Sequence, residues 1–155
     1  MKKLLAVFLC FVFPMVGFAG DNSYKIGYDG GSVSGVKAGT ELKLYLDGGN
    51  IRIVKDKTDL AVIPASAITE ISYGQDVHRR VGAAVAVGVF TLGVGALLAL
   101  SKSKKHFIGL TWDDKGQKGG FAFQADKSDY RGLLAGLEGL TGKKAVDSET
   151  MTVKN

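Results

Sequence analysis

Two histidines, His78 and His106, flank a long uncharged run and are the first residues to test for chemistry. Neither has a cysteine or carboxylate at ligand spacing, so the pair makes no metal site. Their expected place is in solvent or against lipid headgroups. Asp113-Asp114 and Asp56/Asp59 resemble carboxylate pairs for acid–base work, but both lie in Gly- or Lys-rich turn sequence, where Asp is a turn former. Gly93-Val94-Gly95 opens like a dinucleotide loop, yet no strand leads into it and its sixth position is Leu98, so helix-turn glycines are expected instead. No nucleophile elbow, P-loop or zinc signature appears. Trp112 and Tyr73 read as wall residues of a β-domain. The expectation is a protein that is not an enzyme, with no catalytic residue, no cofactor and no metal.

The elements that would have to position any site begin with a leader. Residues 1–20, "MKKLLAVFLCFVFPMVGFAG", have the form of a secretory signal: basic Lys2-Lys3, an apolar stretch from Leu4 to Val16, and small residues Gly17 and Ala19 before a cleavage site. Cleavage is expected after Ala19, giving an exported protein on the periplasmic side. Cys10, the single cysteine, lies within the leader and is preceded by Leu9, which does not suit lipidation. The mature chain then has no thiol, which excludes disulfides, thiolate metal sites and cysteine nucleophiles.

Across the whole chain 20 Lys+Arg face 15 Asp+Glu. The leader takes two of those bases, leaving 18 against 15. That mild excess does not point to nucleic acid, which needs basic charge gathered on one face. The local clusters stand beside the apolar run, so anionic membrane lipid is the expected partner.

That run extends from Val81 to Leu100, twenty residues without a charge. As one helix it would reach ~30 Å, enough for a single crossing. Ala61–Arg80 holds two Lys/Arg and Ser101–Gly120 holds five, so a single span would place residues 101–155 in the cytoplasm. The span would also divide the β-structure, leaving neither part able to bury a core. A helical hairpin at about 78–103, turning near Thr91–Gly95, returns the chain to its starting side and dips into one leaflet. Val85, Val87, Val89, Phe90, Leu92, Val94, Leu97 and Leu98 would insert. Arg79, Arg80, Lys102, Lys104 and Lys105 would meet headgroups, each adding roughly 1 kcal/mol at an anionic surface. Ala84/Gly88 and Gly95/Ala99 are four apart and would pack helices closely, within the hairpin or between copies as a homo-oligomer. Packing of the run on protein is the other reading.

Seven strands are expected: Tyr24–Tyr28, Leu42–Leu46, Ile51–Val54, Leu60–Ile63, Ile68–Tyr73, His106–Trp112 and Gly120–Gln124. Leu42, Leu44 and Leu46 show the period of two of a half-buried strand. Asp47-Gly48-Gly49-Asn50 reads as a hairpin turn. Tyr130, Leu133, Leu134, Leu137 and Leu140 change to helical spacing. Asp126 or Ser128 would cap that helix and Gly142 would close it. Gly132 and Gly136 would let it lie close to a sheet. From Asp147 the chain reads as a tail.

This order resembles a pleckstrin-homology-like (PH-like) barrel: mainly β (α+β), about seven antiparallel strands and a C-terminal amphipathic helix. "LAVIPASAITEISYG", with Ile63-Pro64 and Ile68/Ile71, is similar to a strand pair of bacterial PH-like and GRAM-like domains. "LLAGLEGLTGKKAV", and the apolar insert after Tyr73-Gly74 and Arg79-Arg80-Val81-Gly82, resemble uncharacterised exported bacterial proteins. The resemblance covers about residues 23 to 144 and implies a PH-like domain over 20–146 with a tail at 147–155. It brings no established activity. The first hairpin loop, "GGSVSGVKAG", offers only Lys37, so phosphoinositide recognition is not implied. The resulting expectation is a membrane-associated scaffold or binding surface for a protein partner. The alternatives are an oligomeric, pore-like protein and a single-span protein.

Overall fold

The computed structural model describes residues 23–74 and 106–148, together with Val77 and Val81. Eight strands, a 3-10 turn (Ala65–Ala67) and one continuous α-helix stand among them, besides the helical Val77 and Val81: β1 (Ser23–Gly31), β2 (Glu41–Asp47), β3 (Asn50–Lys55), β4 (Thr58–Pro64), β5 (Ile68–Tyr73), β6 (His106–Asp114), β7 (Gln117–Ala125), α1 (Tyr130–Thr141) and β8 (Ala145–Asp147). All strands join one sheet in the order β4-β3-β2-β1-β7-β6-β5-β8. Neighbours are antiparallel except β5 and β8.

β1 couples the two halves of the sheet. Ser23–Gly27 pair with β2, and Ile26–Gly31 pair with β7. The β1–β7 register shifts between Tyr28 and Gly30, leaving Asp29 as an extra residue. Such a bulge bends a strand and increases its twist, turning one half of the sheet over the other. Leu42, Leu44 and Leu46 then point inward, as their alternation predicts, beside Ile51, Ile53, Ile71, Ile108, Leu110, Phe121 and Phe123. Gly48 and Gly49 take φ of 55° and 82°, the left-handed pair a tight hairpin needs.

α1 closes the open end of this core. Leu133 and Leu137 are fully buried in it, a gain of roughly 1.5–3 kcal/mol each. Gly136 permits the approach: a Cβ there would stand 2.6 Å from Leu46 Cδ1 and 3.6 Å from the Tyr24 hydroxyl. Gly142, at φ 70°, ends the helix and donates its N–H to the Glu138 carbonyl.

Three expectations are corrected. The sheet is open, with β4 and β8 as its edges, where a barrel of seven strands was expected. The eighth strand carries only three residues, too few for any periodicity to show. Neither Asp126 nor Ser128 caps α1 through its side chain; the Asp126 carbonyl accepts the N–H groups of Asp129 and Tyr130 instead. Asp147 and Ser148 are held by the fold, where the sequence reads as a tail from Asp147. Asp147 ends β8, and buried Ser148 donates its N–H to the Tyr73 carbonyl at 2.7 Å.

Candidate functional site

The segment carrying the apolar run joins β5 to β6, and these two strands pair antiparallel. Tyr73 lies opposite Ile108, and Gly74 N–H donates to the Phe107 carbonyl at 3.1 Å. The chain therefore leaves for residues 75–105 and returns from them at adjacent positions of one sheet. The predicted inserting residues (Val85, Val87, Val89, Phe90, Leu92, Val94, Leu97, Leu98), headgroup residues (Arg79, Arg80, Lys102, Lys104, Lys105) and helix-packing residues (Ala84, Gly88, Gly95, Ala99) lie outside the described residues. So do His78 and most of the hairpin expected at 78–103.

Two features hold the feet of this segment. The first is on the outer face of the sheet. Alternation puts Ile108 and Leu110 in the core and Phe107 and Gly109 on the opposite side. There Val77 and Val81, both helical and fully buried, form a second cluster with Phe107 and Ala122. Residues four apart share one helix face. Gly109 makes the seat for them: a Cβ there would come within 2.5 Å of Val77 Cγ1, 2.6 Å of Ser72 Oγ and 2.7 Å of Val81 Cγ2. Val81, the first residue of the apolar run, is thus placed on the domain's own sheet.

The second is a stack of rings at the sheet's end. Tyr73 closes β5, His106 opens β6 and Tyr130 opens α1. The His106 and Tyr130 rings lie 3.7 Å apart between centroids and within 5° of parallel. Tyr73 lies nearly parallel to both, at 6.0 Å from His106 and 5.7 Å from Tyr130. The Tyr73 hydroxyl and His106 Nδ1 share a hydrogen bond of 2.8 Å. Arg131 Nε donates to the Tyr130 hydroxyl at 3.0 Å, and this partner raises the guanidinium pKa further. All three rings are half-buried. His106, expected in solvent or on headgroups, is therefore engaged with two tyrosines, and Tyr73 is a stack member more than a wall residue. Trp112 does behave as wall: its ring covers Gly119 and meets Phe121 edge-on at 6.1 Å.

β8 braces the departing chain from its other side, with Ser72 opposite Val146 and Tyr73 opposite Asp147. The Glu138 carboxylate anchors it, accepting from Ala145 N–H at 2.7 Å and from Lys144 Nζ at 3.2 Å. Those contacts, the backbone N–H first, hold the Glu138 pKa below the ordinary carboxylate value.

Of the carboxylates that resembled acid–base pairs, one of each pair has a structural partner. Asp113 Oδ1 accepts Gly116 N–H within its turn, and Asp59 binds Arg52 at 3.0 Å. Among the described residues no group of three His, Cys, Asp or Glu is placed to hold a metal ion. A shallow cleft of about 450 Å³ crosses the outer face of β1, β2 and β7, bordered by Lys25, Asp29, Glu41, Gln124 and Asp126. Its polar, mixed-charge lining differs from the mainly apolar wall of a small-molecule pocket. Among the described residues no helix is long and apolar enough to cross a membrane.

Sequence reasoning missed Val77, Gly109, Ala122, Tyr130 and Arg131 as parts of this site. The signal that was available is positional: Tyr73 and His106 directly bound the insert. The chain matches no protein-family model and no curated protein.

Proposed function

We propose that this protein is a non-enzymatic, exported, PH-like module held on one membrane leaflet by a glycine-rich apolar hairpin, presenting a scaffold or binding surface to a protein partner. The observation that carries this reading is the pairing of β5 with β6. A chain that leaves and re-enters a sheet on adjacent strands, with twenty uncharged residues between, is suited to dip and return. A single crossing would have to tear β6 and β7 from β1 and β5. The strand order β4-β3-β2-β1-β7-β6-β5, with α1 packed across the open end, supports the PH-like part of the reading.

The test is topological. Reporters near Asp21 and near Asn155 should fall on the same, non-cytoplasmic side, and the protein should stay with carbonate-washed membranes. Val87→Asp or Val89→Asp should release it as a folded soluble protein. Reporters on opposite sides would overturn the proposal.

A second reading has the seat of Val77 and Val81 behind it: the run continues along the protein's own outer face as a water-excluded contact. Under that reading Val87→Asp unfolds the domain and leaves nothing folded to release.

A further inference from the structure

We propose that Tyr73, His106, Tyr130 and Arg131 form the surface of the folded domain that sits in the headgroup layer of a phospholipid bilayer. This rests on the membrane-anchored reading above and adds which face of the domain meets the lipid.

Position is the first argument. The stack is made by the last residue of β5 and the first of β6, so it stands where the chain departs for and returns from the apolar segment. The rings lie on the core side of the ends of β5 and β6 that border residues 75–105, opposite the seat of Val77 and Val81.

Chemistry is the second. Aromatic rings with polar tips favour the boundary between hydrocarbon and water, because one part is apolar and the other needs a hydrogen-bonding partner. Here the tips are already supplied. Tyr73 and His106 satisfy one another at 2.8 Å, and Tyr130 takes Arg131 Nε at 3.0 Å. Entering the headgroup layer therefore strands neither tyrosine hydroxyl, which removes the usual cost of burying those groups.

Charge is the third. Arg131 is exposed, and its guanidinium lies 5.7 Å from the Tyr130 ring centroid with no carboxylate paired to it among the described residues. Arg52, the comparable cation over Tyr45, is paired by both Asp47 and Asp59. This exposed charge, without a carboxylate partner among the described residues, suits lipid phosphate. Of the other aromatic groups, Tyr28, Phe107, Phe121 and Phe123 are buried, Trp112 is committed to Gly119, and the ring of Tyr45 lies under the paired Arg52.

The experiment uses the full chain with Cys10→Ser, so that one introduced thiol carries an environment-sensitive fluorophore. Ser128→Cys places it two residues before Tyr130 at an exposed position. Lys115→Cys places it in the exposed β6–β7 turn. Each is mixed with phosphatidylcholine–phosphatidylglycerol vesicles, and binding is confirmed by flotation. The expected result is a blue shift at position 128, with quenching by a nitroxide lipid labelled at headgroup level, and neither effect at position 115. Arg131→Glu in the Ser128→Cys protein should remove most of that quenching on phosphatidylglycerol-containing vesicles. Flotation without any change at position 128, or with the effect at position 115 instead, overturns the proposal while leaving anchoring intact. Arg131→Glu without effect overturns the arginine's part in it. Failure to float overturns the anchored reading and this proposal together.

Discussion

Replacing Gly109 with alanine probes the seat that fixes where the insert begins. The backbone at Gly109 is not in the left-handed region, so alanine is conformationally allowed. What alanine adds is one methyl group, 2.5 to 2.7 Å from Val77 Cγ1, Ser72 Oγ and Val81 Cγ2. Carbon atoms in contact prefer ~3.5–4.0 Å, so the docked segment must lift by ~1 Å or the strand must shift. Overpacking of this kind costs ~1–3 kcal/mol. Complete undocking would forfeit the burial of two valines, roughly 1.5–3 kcal/mol each, so the molecule strains or lifts before it lets go. The smaller entropy of the unfolded chain with alanine offsets about 0.4–1 kcal/mol, leaving a net loss centred on ~1.3 kcal/mol and no larger than ~2.6 kcal/mol. Gly27→Ala is the control. It also has an alanine-compatible backbone, and its Cβ would meet only Gln124 Cβ, at an ordinary 3.8 Å. It should leave stability unchanged or raise it by up to about 1 kcal/mol. Urea unfolding of the two variants measures the difference, and amide exchange at Phe107 and Val81 reports the seat directly. If Gly109→Ala unfolds at the wild-type midpoint with unchanged protection at those amides, Val77 and Val81 do not sit where the structure places them.

Further expectations concern α1 and β8. Gly139 has no atom within 4 Å of a would-be Cβ, so Gly139→Ala should stabilise the protein by ~0.5–1 kcal/mol through helix propensity alone, read as a higher unfolding midpoint. Gly142→Ala should do the opposite by ~1 kcal/mol or more, because φ of 70° forces a side chain into the left-handed region. Leu137→Ala, at a site with no exposure, should cost ~2–5 kcal/mol in the same assay. Glu138, whose folded pKa lies below its ordinary value of 4.5, stabilises the attachment of β8 above that value. The contribution is lost as pH falls through the depressed pKa. The Ala145 amide resonance should follow that titration, and Glu138→Gln should abolish the pH step.

Local order was readable wherever a residue's role depends on its near neighbours. The alternation of Leu42, Leu44 and Leu46, the turn at Gly48-Gly49, the helical spacing from Tyr130 to Leu140 and the stop at Gly142 are short-range signals, and each corresponds to what the chain forms. The close approach expected at Gly136 follows from the same reasoning, since a glycine on the leucine face of a helix leaves room for a neighbour.

The site's assembly was not readable, because its members meet only through long-range pairing. Tyr73, His106 and Tyr130 are separated by an insert, two strands and a turn, and no spacing rule connects them. β5–β6 pairing and the docking of α1 bring the three rings together. Gly109 by itself looks like a weak point in a strand; its purpose appears only with Val77 and Val81 lying over it. β8 depends on a carboxylate seven residues earlier and on the free edge of β5. Sequence alone determined the first seven strands and α1, and that a long uncharged run interrupts them, because backbone propensity and hydrophobic period act locally. Tertiary structure decided that the two ends of that interruption stand side by side and what grips them, because those contacts exist only once distant strands have paired.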